Sequence, residues 1–281
     1  MRPFPVLLLS VSVLSACSEW ENDIYKVRNQ GLSDDMESPI TTADGQLYNM
    51  SFDSWSRDGS NESCYASDAS DAEKRVWASP NSTTAFLGKA TCVPERSFVA
   101  VAGPGKAAVK LQTQMVNALI SKKLASGCLF TGQMGNISIS RMNASLKWGV
   151  PFTLRPIAME GYACYRPAAI SNVQPPYENR LGETDNGHVF VILCDWTEQF
   201  TVDPALSSFV DTDNDPAIIG YAKVTFDHTM SGYEKFSVNI EYRNGRTPKY
   251  LVIVASSSAL GDFFTGGDGS TLYLDEFRFT Y

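Results

Sequence analysis

Carboxylates are the most numerous groups in this sequence that could do chemistry, with 31 Asp and Glu among 281 residues. Two of them facing each other across an acetal bond, about 5 to 9 Å apart, can hydrolyse it as acid and base or nucleophile. Asp195, Glu241, Asp262, Asp268, Asp275 and Glu276 could supply such a pair after folding. Acids are so abundant that candidates alone carry little information, and no catalytic residue is assigned. Other chemistries fare worse. His188 and His228 are the only histidines, SSSAL lacks the G-x-S-x-G frame, and no Cys has a signalled catalytic partner. GGDGS (Gly266–Ser270) lacks the Lys and the following helix of a phosphate cradle. DTDNDP (Asp211–Pro216) begins like a calcium loop, but Pro216 replaces the required Gly and Ala222 stands at the Glu position, so it reads as a solvated turn. No cysteine spacing resembles a zinc site.

Flat rings are the second resource, because several left side by side in water would form an interaction patch. Trp55 lies opposite in parity to Tyr48, Met50 and Phe52, Trp77 precedes the SPN turn, and Trp196 follows Asp195 at a strand end. Each is a candidate for ligand contact, as is the strand-end pair Tyr165 and Arg166, with packing beneath a loop as the alternative for the tryptophans. Trp148 shares parity with Val150, Phe152 and Leu154 and is expected in the core. Arg155, before Pro156, is expected to pair with an acid or with backbone carbonyls.

These residues must be positioned by strands. Phe236, Val238, Ile240 and Tyr242 alternate with Ser237, Asn239 and Glu241, the pattern of a strand with one buried and one wet face. Ala107, Val109 and Leu111 repeat it, as do Val150, Phe152 and Leu154. HVFVILC (His188–Cys194) and YLVIVA (Tyr250–Ala255) are apolar on both faces, as expected of central strands covered on each side. Met115–Leu124 is the one plausible helix, with Gly127 at its C-cap. Turn chemistry in SPNS, PGK, QPPYEN, DNDP and RNGRTP separates the strands. The spacing predicts an all-β fold with antiparallel sheets, a sandwich or jelly roll, over 45–281 as one domain.

In GDFFTGGDGSTLYLDEFRF (Gly261–Phe279), strict alternation would place Asp275 inside with Tyr273 and Phe277, a costly burial for an unpaired carboxylate. A β-bulge at Asp275–Glu276 would instead put Leu272, Leu274, Phe277 and Phe279 on one face. A structural calcium held by Asp275 and a residue near Asp53 is the alternative; no other cofactor is expected. The glycines before the strand allow tight turns with positive φ.

The C-terminal block ASSSALGDFFTGGDGSTLYLDEFRFTY resembles the closing signature of the putative carbohydrate metabolism domain family. In order before it stand FDSW (Phe52–Trp55), WASPN (Trp77–Asn81), AAVKLQT (Ala107–Thr113), LFTG (Leu129–Gly132), WGVPFTLRP (Trp148–Pro156) and GYACYRP (Gly161–Pro167). The likeness covers nearly everything after Gly45. It implies a jelly-roll β-sandwich similar to carbohydrate-binding modules, in lipoproteins of bacteria that forage on glycans. The expected partner is an oligo- or polysaccharide. Hydrolysis through a carboxylate pair, and an adhesin or structural surface protein, stay open as alternatives.

Composition and the N-terminus bound the setting. Hydrophobic residues make up 43% and charged residues 19%, enough for a packed core. A net charge of −8 would repel phosphate backbones, so nucleic acid is not an expected partner. Arg2, the apolar run Phe4–Leu14 and the lipobox Leu14-Ser15-Ala16-Cys17 predict a signal peptide over 1–16 and lipidation at Cys17. Residues 17–44 read as an acidic tether. The lipid anchor is then the expected membrane attachment of an outer-membrane protein displayed at the cell surface or facing the periplasm. With Cys17 acylated, five cysteines remain; Cys64 and Cys92 are the expected disulfide, and Cys128, Cys164 and Cys194 read as buried thiols.

Overall fold

The structure, a computed structural model, describes residues 41–59, 61–85, 88–118, 121–138 and 143–281. The expected signal peptide, the expected lipidation site Cys17 and the expected tether up to residue 40 lie outside the described residues. Two antiparallel sheets dominate. The larger runs Phe200–Val202, Asn143–Trp148, Cys128–Ser138, Tyr250–Ser256, Gly187–Cys194, Ile218–Phe226, Glu241–Tyr242, with Val150–Pro151 and Trp77–Ala78 paired beside this path. The smaller runs Glu234–Asn239, Ala158–Arg166, Thr271–Thr280, Ala108–Gln112, Cys92–Glu95.

Period-two alternation decides which side chains meet. From the strand Gly187–Cys194, Val189, Val191 and Leu193 enter the core between the sheets, joined by Leu251, Ile253 and Ala255 from its neighbour. The smaller sheet answers with Val109, Leu111, Leu272, Leu274, Phe277 and Phe279. Each such side chain contributes about 1.5–3 kcal/mol by leaving water. Phe190, Ile192, Val252 and Val254 point the other way, into a second cluster on the outer face of the larger sheet. Both strands therefore have the two covered faces their composition requires.

The closing strand contains the expected change of phase. Tyr162 opposes Asp275 and Glu160 opposes Arg278, so Glu276 and Phe277 together face Gly161. Glu276 adopts φ 49°, the left-handed conformation of a bulge. Leu272 and Leu274 before it and Phe277 and Phe279 after it all reach the same core. Asp275 faces outward, beneath the segment 96–101, where its carboxylate accepts the Ala100 N–H at 2.7 Å. Asp53 does not join it. That carboxylate accepts the Ala107 N–H at 3.0 Å and pairs with Lys106 Nζ at 2.9 Å, and Lys106 also binds Glu276 at 2.6 Å. The calcium alternative is thereby replaced by a lysine and backbone amides as partners of these acids.

Four other expectations are corrected. Residues 114–125 form a hairpin, Gln114–Ala118 against Ser121–Ala125, rather than a helix. A two-turn helix is marginal alone, whereas the hairpin buries Val116 and Leu124 and ties the Met115 N–H to Asp268 at 3.1 Å. Cys64 and Cys92 are free thiols, both buried in the core between the sheets. Trp148 is buried, but in the outer-face cluster rather than with Val150 and Phe152. Gly149, at φ 112°, reverses the phase between them. Finally, the run 236–242 alternates as expected yet changes sheets: Phe236 pairs within the smaller sheet and Tyr242 with Gly220 of the larger.

The two ends of this unit are clasped. Gln46 Oε1 accepts the Phe279 N–H at 2.6 Å, its Nε2 donates to Phe279 O at 3.0 Å, and the Tyr281 hydroxyl donates to Gly45 O at 2.8 Å.

Candidate functional site

The outer face of the larger sheet is built in rows, because cross-strand partners share a face. His188 stands in line with Thr225, Ser256 and Cys128, and Phe190 with Lys223, Val254 and Phe130. The chain from Trp196 to Ala217 returns across this face and packs Trp196, Phe200, Phe209 and Val210 onto it. At the Ser256 end a second loop, Gly261–Phe264, crosses next to Ser126 and Ser256. A third, after Pro176, brings Tyr177 in.

These loops bring three half-exposed rings together. Phe263 meets Phe209 at 4.8 Å between centroids and the edge of Tyr177 at 5.0 Å. Buried polar bonds hold the Phe263 loop. Asp185, 2% exposed, accepts the hydroxyls of Ser258 and Ser270 and the N–H of Gly267, at 2.5, 2.8 and 2.8 Å. A side chain at Gly267 would strike Ala169 O and Ser270, so glycine alone permits this approach. The SSS and GGDGS segments are thus the two halves of one buried polar network.

Next to the rings lie polar groups without partners. Asp262 makes no hydrogen bond among the described residues, and burial alone pushes its carboxyl up to about 6. His188 is 8% exposed and its Nδ1 has no partner. Burial, and then the charge of Lys223, hold its pKa down at about 3, so the imidazole is neutral. Trp148 Nε1 is likewise buried and unpaired. The rings of His188 and Trp148 both lie edge-on to Phe190, at 5.3 and 5.7 Å. Buried polar groups are ordinarily hydrogen-bonded. Two of the exceptions among the described residues lie around one phenyl ring.

The residues singled out by sequence are dispersed. Trp77 and Tyr165 lie in the core between the sheets, 3% and 0% exposed, and offer no ring face to solvent. The Trp77 indole donates to Tyr48 O at 2.8 Å, and the Tyr165 hydroxyl to Ser257 O at 2.9 Å, so their polar ends are satisfied inside. Trp196 lies in the outer-face cluster and donates to Asp215 at 2.8 Å. Trp55 is half-buried and donates to Phe52 O at 2.7 Å. Arg166 is exposed on the other sheet, over the rings of Phe98 and Tyr273 at 5.2 and 5.4 Å. Arg155 donates to the carbonyls of Arg246 and Asn244, one of the two roles expected for it.

Most candidate acids have structural partners. Asp195 pairs with Arg246 at 2.9 Å, Asp268 accepts from Met115, Asp275 from Ala100 and Glu276 from Lys106. Of the acids named from sequence, Asp262 sits on the loop that carries Phe263. Tyr177 and Phe263 were missed because each sits in a segment read as a turn or loop, and Phe209 lies in a stretch to which no element was assigned. The parity of His188 with Phe190 in HVFVILC was the one signal available for the histidine.

Two antiparallel sheets, packed face to face and crossed by loops on their outer surfaces, define the class: a jelly-roll β-sandwich. The family model for the Putative carbohydrate metabolism domain matches residues 51–280, and the chain belongs to that family. A structure described as a putative glycoside hydrolase from Bacteroides thetaiotaomicron VPI-5482 is similar at a TM-score of 0.65 and 19% identity, over 88% of this chain and 72% of that one. Another with the same description, from Bacteroides vulgatus ATCC 8482, is similar at 0.60 and 20% identity, over 80% of this chain and 94% of that one. At these identities the likeness establishes the fold. No curated protein matches significantly.

Proposed function

We propose that the protein binds glycan on the outer face of its larger sheet, as a lipid-anchored component of carbohydrate acquisition at the outer membrane. The observation that carries this reading is the meeting of Tyr177 and Phe209 on Phe263, the residue next to Asp262, whose carboxyl has no partner among the described residues. Sugar rings present apolar C–H faces and a rim of hydroxyls. Flat rings accept the faces, and a carboxylate lacking a donor accepts the hydroxyls. Membership in a carbohydrate-metabolism family points the same way.

Binding is favoured over hydrolysis because the candidate acids Asp195, Asp268, Asp275 and Glu276 are each engaged by a structural partner. Hydrolysis by paired carboxylates needs a second acid across the scissile bond. The lipobox at Cys17 and the acidic run behind it support surface anchoring.

The test is a glycan array followed by titration calorimetry on the best ligand. Phe263→Ala should weaken binding about tenfold, the worth of one aromatic contact, and Asp262→Asn should weaken it comparably. Release of reducing ends, or full affinity in both variants, would overturn this account. For the anchor, the mature N-terminal peptide should carry acyl mass on Cys17, absent in Cys17→Ser.

A further inference from the structure

Six large apolar side chains are exposed among the described residues. Leu181 and Leu206 lie on the segments that carry Tyr177 and Phe209, and Val101 follows Ala100 over Asp275. The other three, Leu154, Ile157 and Tyr281, gather at one end of the sandwich, 36%, 60% and 51% exposed. Ala158 opposes Thr280, and the Ile157 N–H donates to Thr280 O at 2.7 Å, which sets Ile157 beside Tyr281. Leu154 follows the short strand Val150–Pro151, whose partners Tyr250 and Leu251 begin the strand that ends at Ser256. Polar bonds hold the segment 154–157 while its aliphatic groups stay outside. Arg155 donates to the carbonyls of Arg246 and Asn244 and lies over the Tyr242 ring at 4.0 Å, and the Tyr242 hydroxyl donates to Pro156 O at 2.7 Å. Leu154 and Ile157 are therefore shown on fixed backbone, so covering them costs little ordering.

This end is where the chain arrives from its N-terminal side. The described residues begin at Thr41, and Gln46 and Gly45 bond Phe279 and Tyr281. The ring cluster stands at the other end. Its Phe263 loop follows Ser256 and leads through Gly266–Ser270 into Thr271, which opposes Arg166. The ten residues Thr271–Thr280 put about 33 Å between the two ends.

We propose that the end carrying Leu154, Ile157 and Tyr281 rests on the surface of the bilayer that holds the anchor, with the ring cluster facing away from the membrane. The proposal rests on the lipid anchor at Cys17 and adds a docked orientation to it. Thr41 lies 24 residues after Cys17, a coil length on the order of 30 Å. Such a tether makes contact between this end and the bilayer intramolecular, at a local concentration of about millimolar. Three side chains are too few to hold a free domain on a membrane; at that concentration a small patch suffices. Aliphatic side chains and a tyrosine ring are groups that enter the headgroup boundary. The net charge of −8 leaves apolar contact, rather than attraction to anionic lipid, as the force.

The test uses the full chain, with acyl mass on Cys17 confirmed first, in vesicles of phosphatidylethanolamine and phosphatidylglycerol. A polarity-sensitive nitrobenzoxadiazole label is placed on Thr153→Cys, beside the patch, or on Asn179→Cys, two residues after Tyr177; both sites are exposed, and the five described cysteines are buried. Compared with the lipid-free domain in buffer, emission of the Thr153→Cys label should move to shorter wavelength on vesicles, and that of the Asn179→Cys label should not. Adding Ile157→Asp should lower the docked-to-undocked ratio at least about tenfold, the worth of one covered isoleucine. Thermal melting should be unchanged by it, because the side chain is exposed and the backbone bond to Thr280 is kept. High salt should leave docking intact. An acylated, vesicle-bound protein whose Thr153→Cys label emits as in buffer, or a shift indifferent to Ile157→Asp, would overturn docking and leave the anchor standing. A shift that disappears on diluting the protein within the vesicles would assign the patch to a second copy and overturn it equally. Equal shifts at both labels would overturn the orientation. Cys17 without acyl mass would remove the anchor and the docking together.

Discussion

At the scale of single residues, two aspartates show how one kind of desolvation serves different ends. Asp275 and Asp262 are both pushed up to about 6, in each case chiefly by burial. Asp275 is satisfied by backbone N–H groups, so its consequence is for stability. Its folded pKa lies above the ordinary value of 3.8, and the charged form is therefore penalised in the native state. Stability should be greatest below about pH 4 as far as this residue is concerned, and fall as pH rises through about 6. Asp275→Asn keeps an acceptor for Ala100 and should flatten that slope, raising the melting temperature at pH 7 relative to wild type, as measured by calorimetry from pH 4 to 8. Asp262 has no internal donor. A ligand hydroxyl that bonds the carboxylate favours its ionised form, so affinity should rise with pH through about 6 and lose that dependence in Asp262→Asn. The parity of Asp275 with Tyr273 and Phe277 singled it out in the sequence, whereas Asp262 was one member of a long roster. What separates them is whether a backbone amide happens to lie overhead.

At the scale of elements, alternation carried most of the legible information, and it failed where a single residue changes phase. HVFVILC and YLVIVA announce central strands because no face of them is polar, and they are neighbours in the larger sheet. Leu272, Leu274, Phe277 and Phe279 announce a bulge because their parity changes midway. Trp148 was assigned to the wrong cluster because Gly149 makes the same kind of change without any charged residue to flag it. The bulge gives a sharp prediction. Glu276→Gly should fold, since glycine accepts φ 49° readily and the loss is confined to the Lys106 ion pair. Deleting Glu276 should also fold, because alternation then becomes regular with Phe277 opposite Gly161 and Phe279 still facing the core, whereas inserting one alanine after Glu276 should abolish folding by turning Phe277 and Phe279 to the outer face; circular dichroism melts distinguish the variants. Gly149→Ala should cost about 1–3 kcal/mol for the same conformational reason, measured by urea titration.

At the scale of the whole molecule, the sandwich was readable from strand spacing and the site was not. A loop ring such as Phe209 or Tyr177 gains its partners only when distant turns meet over a sheet face, and no local pattern records that meeting. The cysteines illustrate the same limit. Cys64 and Cys92 stand in polar-looking sequence, yet both thiols are buried, with burial lifting Cys92 to about 12 and Cys64 likewise upward. None of the five described thiols should react with iodoacetamide in the native protein, and all five should react in urea, as read by mass spectrometry.

The clasp between Gln46 and Phe279 joins positions 233 residues apart, and the strand it secures is internal to its sheet, between Ala158–Arg166 and Ala108–Gln112. Neither neighbour can complete its ladder until that late segment is threaded between them. The kinetic corollary is slow, all-or-none assembly dominated by contacts remote along the chain. Until that strand docks, the ladders of both neighbours stay open on one side.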